Sequence, residues 1–393
     1  MVAVQLKFVD AGDLYVSWRW EHALDQPRAL RIPRELVRRA LDDWAAALPS
    51  PLPGERPDKA LARALTHGPL LDRDREAELS GALARALFPH QLGVELTSVV
   101  ERGIRPHLRV QASPSTALVP WEALRVDEGE RTVHHADVST LTPATVRNAT
   151  GRRVSPFRPH GTVVGVLDPV VPGFADHSAL GSVLGPGSPP AALGATRRAD
   201  VDRDALEKAL ADADRFLYVG HVTTGDHALD SRLHLSCGQD TTGRAALLGV
   251  HRPLTAADIA LGHRPGAPRP WRVPNRVALV ACDSGGDTRF AEPTGLVAAM
   301  VHGGAEYVTS TRWTLPTDAG LTHLVPDFPT TPVLPPTVLA VNEAHEAPDP
   351  VAALCAWQRA QADQWELTGD PTRSPVIWAA FTTAWAPAPR SHP

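Results

Sequence analysis

Apolar and polar residues alternate at the start of the chain. VAVQLKFV (residues 2–9), a turn at AGD and LYVSWRW (14–20) together predict a β-hairpin. From Pro33 the period lengthens, and Leu36, Val37, Ala40, Leu41, Trp44 and Leu48 fall on one face of a helix. Two more helical patterns run from Lys59 to Thr66 and from Arg73 to Phe88. A strand LRVQAS (108–113) and the segment VPWEAL (119–124) follow, and STLTPATV (139–146) is the candidate to pair with them.

The pattern changes near residue 150, where GRRVSPFRPHG forms a turn-rich connector. This divides the chain into an N-terminal α+β region, 1–150, and a C-terminal α/β region, 151–393. In the second region TVVGVLDP (162–169), RFLYVG (215–220) and RVALVAC (276–282) are continuous apolar runs, the profile of buried parallel strands. HLSCG (234–238) and EYVTSTRW (306–313) also read as strands. Helices are expected at 202–213, at 253–261 with Thr255 as N-cap, and at 294–304 ending in glycines. Two more close the chain at 353–367 and 375–385, whereas 172–194 and 316–336 read as Gly- and Pro-rich connections. The alternation of strand and helix predicts a mostly parallel sheet with helices on both faces.

Composition adds exclusions. Acidic residues number 44 and basic ones 39, with no basic tract, which disfavours nucleic acid as a partner. No run of 18 apolar residues offers a membrane span, and the opening residues lack the layout of a secretion signal. Three scattered cysteines, Cys237, Cys282 and Cys355, fit no disulfide framework and point to a cytoplasmic location with free thiols. Phosphate-loop, nucleophile-elbow, H-E-x-x-H and C-x-x-C motifs are absent, so neither a metal nor a cofactor is expected.

Open α/β sheets place chemistry beyond the carboxyl ends of their strands. RFLYVG delivers His221 there, and RVALVA delivers Cys282 into the turn DSGG. If the two strands are neighbours, an imidazole and a thiol emerge side by side: a nucleophile and the base that takes its proton. The plain alternative for each is structural. A Cys ending an apolar strand is ordinarily a small core residue, and Asp168, Asp226, Asp283 and Asp318 read as solvated turn residues.

LYVGHVTTGD, SRLHLSCG, PLTAADIAL, VALVACDSGG, TGLVAAMVHGGAEYVTSTRWTLPTD and WAAF (378–381) follow one another as in the CHAT proteases, prokaryotic relatives of caspases and separase. LVPWEAL (118–124), TPATVRNA (142–149) and TVVGVLDP resemble that family's entry segment and first strand, so the resemblance covers about residues 105–386. It implies a caspase-like fold in which residues 1–150 are a degenerate half. It also implies a cysteine endopeptidase with His221 as general base, Cys282 as nucleophile, and the Val222 and Cys282 N–H groups as oxyanion hole. The family usually has Gly where Val222 stands, and a β-branched residue there is expected to narrow the cleft. By the same resemblance, strand 306–313 walls the cleft and receives the substrate peptide as an added strand. Asp283, Ser310, Thr311, Trp313 and Asp318 then lie at the substrate. The implied setting is a bacterial defence or cell-death pathway, with activity latent until a separate activator or sensor protein reshapes loops 222–230 and 283–292. A pseudoprotease that binds peptides without cleaving them, and a different thiol enzyme such as an acyltransferase or amidase, stay open as alternatives.

Overall fold

The computed structural model describes residues 2–185, 193, 200–264, 266, 269–290 and 294–388. Part of the connection expected at 172–194 (186–192 and 194) and residues 291 and 292 of the expected activation loop lie outside the described residues. Fifteen strands occur among the described residues. The first three are β1 (Ala3–Ala11), β2 (Asp13–Trp20) and β3 (Arg28–Ile32). Next come β4 (His107–Gln111), the short pair β5 (Arg125–Asp127) and β6 (Glu130–Arg131), and β7 (Asp137–Leu141). β8 (Val163–Leu167), β9 (Arg215–Gly220), β10 (Val222–Thr223), β11 (Arg232–Leu233) and β12 (Leu254–Thr255) follow. The last are β13 (Arg276–Ala281), β14 (Tyr307–Thr311) and β15 (Phe381–Trp385).

Ten of these strands form one sheet in the order β3-β2-β1-β4-β7-β15-β14-β13-β9-β8. Only the β1–β2, β2–β3 and β14–β15 pairings are antiparallel, so the sheet is mostly parallel, as the alternation of strand and helix predicts. Residues 3–141 supply one half of it and residues 163–385 the other, joined where β15 pairs with β7. β8, β9, β13 and β14 run the same way, so residues 168, 221, 282 and 312 emerge together at one edge.

Period-2 patterning assigns the faces. In β1, buried Val4, Leu6 and Phe8 alternate with more exposed Gln5 and Lys7. β9 and β13 are buried on both faces, and their alternate residues enter different hydrophobic clusters. Leu217, Val219, Ala278 and Val280 join the cluster that also holds Trp44, Trp313 and Trp378. Phe216, Tyr218, Val277, Leu279 and Ala281 join the cluster beneath the helix Leu296–Gly303.

Several expectations need correction. The stretch expected as a closing helix at 375–385 is one helical turn, Pro375–Trp378, followed by β15, a central strand. The 316–336 connection contains the helix Asp318–Leu324 and opens another, Leu334–Ala344. HLSCG is not a strand, although Cys237 is buried, and VPWEAL is not a strand either. In VPWEAL, Glu122 instead forms a buried 2.8 Å ion pair with Arg312, just past β14. Leu36 is 66% exposed and leaves the buried face of its helix to Val37, Trp44 and Ala47. β3 and the helix His90–Glu101 carry no pattern that stood out in the sequence.

Candidate active site

β9 and β13 are parallel neighbours with Gly220 opposite Ala281. His221 and Cys282 are the next residue of each strand. They continue the positions of Leu217 and Val219, and of Ala278 and Val280, so both project from the same face. Both are half-buried. Gly220 is required at this point, because a Cβ there would lie 2.6 Å from the Tyr218 hydroxyl.

His221 Nε2 lies 2.8 Å from the Gly181 carbonyl. A carbonyl only accepts, so Nε2 carries a hydrogen, and in the neutral ring the basic lone pair is on Nδ1. The His221 carbonyl accepts the His234 N–H at 3.1 Å and lies 2.9 Å from the Tyr218 hydroxyl, which pins the backbone under the imidazole. Cys282 Sγ donates to the Leu315 carbonyl at 3.7 Å. Burial pushes its thiol above the ordinary range, and the nearby Asp283 carboxylate adds to the rise.

The loop after Cys282 is built into the sheet. The Asp283 N–H donates to Trp313 and the Gly285 N–H to Thr311. Ser284 Oγ donates to the Leu279 carbonyl at 2.7 Å and accepts the Thr311 N–H at 3.0 Å, while the Thr311 hydroxyl donates to the Ala281 carbonyl. These two hydroxyls replace ladder bonds where β13 and β14 separate. Ser284→Ala strips partners from a buried carbonyl and a buried N–H at once. We expect a loss of roughly 1–3 kcal/mol in urea unfolding; an unchanged midpoint would show that the loop does not depend on this bridge.

Val222 occupies β10, antiparallel to β11. The His234 N–H to His221 carbonyl bond makes residues 221 and 234 a hydrogen-bonded pair, so Val222 and Leu233 form the next, non-bonded pair. The Val222 N–H therefore points away from β11. Its side chain is 5% exposed and sits in the core with Leu233 and Leu254, so it does not narrow the cleft, contrary to the sequence expectation. A buried histidine pair backs this turn: His234 Nδ1 lies 3.0 Å from His251 Nε2, and His234 Nε2 lies 2.9 Å from Thr223 Oγ1. Burial pushes the His234 imidazole down to about 3, so it is neutral.

The expected substrate contacts are placed differently. β14 is flanked by β13 and β15, so it offers no free edge to an added peptide strand. Ser310, Thr311 and Trp313 are buried; Ser310 lines a cavity of about 40 Å³ with Gly285 and Asp287, and Trp313 Nε1 donates to the Val376 carbonyl. Asp318 accepts the Val333 and Leu334 N–H groups, opening the helix that follows. Asp283 has φ +51° and pairs with Arg289 at 2.9 Å; burial raises its carboxyl to about 7 against that pairing. Asp168, read as a solvated turn residue, is 1% exposed. Gly181 and Asp168 are the site elements the sequence did not reveal.

Among the described residues, one group has metal-ligand spacing, Asp204, Glu207 and His263. Both His263 nitrogens are already engaged, by Trp271 Nε1 and by Asp204, and Arg264 holds the same carboxylate.

In comparisons with known proteins, the CHAT domain family matches residues 77–385. The chain belongs to the CHAT family. No curated protein matches this CHAT chain in sequence. Two solved structures of the Saccharomyces cerevisiae separase–securin complex, at 2.6 and 3.0 Å, are similar to it with 11% identity and TM-scores of 0.47 and 0.46. The match covers 98% of this chain and 30% of the other, so the CHAT chain spans less than a third of that length. No helix among the described residues is long and apolar enough to cross a membrane.

Proposed function

We propose that this CHAT protein is a caspase-like cysteine endopeptidase. Cys282 attacks a peptide carbonyl to form a thioester. His221 Nδ1 takes the thiol proton, passes it to the departing amine, and then activates the water that hydrolyses the thioester. The Val222 and Cys282 N–H groups stabilise the oxyanion. The observation that carries this reading is the in-register emergence of His221 and Cys282 from adjacent parallel strands, with Nε2 tied to a carbonyl so that Nδ1 is the base.

The described state supports latency. Burial holds the thiol above its ordinary range, which favours the protonated form, and Sγ donates to the Leu315 carbonyl. Alkylation of Cys282 by iodoacetamide should be slower near pH 7 than that of an unperturbed thiol and should climb beyond pH 9. Activation by a separate protein must turn the thiol from Leu315 towards His221. The setting we propose, drawn from the resemblance alone, is a bacterial defence or cell-death pathway with a protein substrate; the cytoplasm is proposed from the three free thiols.

The test is labelling by a panel of thiol-reactive peptide probes, read by intact mass, in purified protein and in native lysate. Labelling should map to Cys282, increase in lysate and collapse in His221→Ala. Labelling at Cys237 or Cys355 would overturn the site assignment. Binding of peptides with Cys282 inert in both settings would favour the pseudoprotease.

A further inference from the structure

Resting on the His221 and Cys282 reading, we propose that Asp168 is a positioning residue for the base, acting through the segment Gly181–Val183. Asp168 is the first residue past β8, as His221 is the first past β9, and these strands are neighbours with Leu167 opposite Val219. The Asp168 N–H donates to the Val219 carbonyl at 2.6 Å, and its backbone takes φ +51°, which turns the chain at the strand end. Its carboxylate is buried and accepts two hydrogen bonds from one short segment: Ser182 Oγ at 2.6 Å and the Val183 N–H at 2.9 Å. The carbonyl just before Ser182, that of Gly181, is the group that holds His221 Nε2.

That segment has little freedom of its own. The Gly181 N–H donates to Ser178, and the Ser182 N–H to Asp176. A Cβ at position 181 would lie 2.1 Å from the Asp176 carbonyl oxygen, so only glycine allows the chain to fold this closely. Leu180 and Val183 are buried on either side. The compact turn fixes the carbonyl's shape, and the Asp168 carboxylate fixes where the turn sits relative to β9. A carboxylate that accepts two donors from one short segment suits a clamp that must hold a loop over a sheet edge. A mobile Gly181 carbonyl would let the imidazole rotate and would misdirect Nδ1.

Asp168→Asn tests this without changing side-chain size, and Ser182→Ala removes one bond while keeping the other. In 15N-histidine-labelled protein, the His221 Nε2–H proton, assigned by its loss in His221→Ala, should be protected from solvent exchange. It should broaden or vanish in Asp168→Asn and weaken in Ser182→Ala. Peptide-probe labelling of Cys282 in lysate should fall about tenfold in Asp168→Asn. Combined with His221→Ala, Asp168→Asn should produce no further loss, since it acts through the imidazole. An unchanged Nε2–H signal in both variants overturns the proposal. So does an equal fractional loss with and without His221, which would mark Asp168 as merely structural. Labelling that is indifferent to His221→Ala itself defeats the dyad reading, and the positioning role falls with it, even if the Nε2–H proton still depends on Asp168.

Discussion

In the activated protein, Cys282→Ala is expected to abolish peptide cleavage and His221→Ala to lower it by roughly 10²–10⁴-fold. The size follows from the chemistry. Burial and Asp283 hold the thiol above its ordinary range, so little thiolate exists at neutral pH without a base to take the proton. Nδ1 of His221 is the nitrogen left for that work once Nε2 is tied to Gly181. Initial rates on a fluorogenic peptide panel, with the variants matched for folded fraction, measure the effect. A His221→Ala protein that keeps a third of the wild-type rate would sink the dyad. Val222→Gly supplies a useful contrast. It introduces the glycine usual in the family, but the valine side chain is packed in the core and the backbone donor is unchanged. It should therefore bring no gain in rate, and it should cost stability through the lost core contacts.

The parts of this site that the sequence exposes are those written in strand pattern. β9 and β13 are buried on both faces, so they read as unbroken apolar runs, and their ends mark His221 and Cys282. Their adjacency is a matter of topology, which the order of elements suggests but does not fix. Gly181 and Asp168 stay hidden for a different reason. One acts through a backbone carbonyl 40 residues from its histidine, and the other through a loop that folds over the sheet edge. Neither leaves a side-chain periodicity.

The misplaced elements follow the same logic. PVIWAAFTTAW is apolar except for Thr382 and Thr383, so period alone cannot separate a buried helix from a buried strand. The run contains one of each. Pro335 and Pro336 discourage a helix in the sequence, yet they sit in the first turn of Leu334–Ala344, where the missing N–H costs nothing. Ser310 and Thr311 end β14 and Trp313 lies just past it, as cleft residues would, but β15 flanks that strand and all three are core.

The same burial makes Glu76→Ala the most damaging structural substitution we expect, at about 3–5 kcal/mol in urea unfolding. Glu76 and Arg131 are fully buried and pair twice, at 2.8 and 2.6 Å. Arg131 also holds Glu366 at 2.6 Å and the Ala123 carbonyl at 2.9 Å, and Trp365 Nε1 donates to Glu76 at 3.2 Å. Removing Glu76 leaves a guanidinium in the interior with only part of its charge balanced, and Glu366 is itself shared with Arg125. Glu76→Gln keeps the volume and some hydrogen bonding, so its cost should fall below that of the alanine variant. The network ties the helix Arg73–Leu87, the end of β6 and the helix Pro350–Thr368 together. One hydrophobic cluster likewise runs from Val4 to Phe381. A loss under 1 kcal/mol would show that the network contributes little. A loss of the expected size, with probe labelling of Cys282 falling alongside it, would show that the first hundred residues help hold the sheet on which the dyad stands.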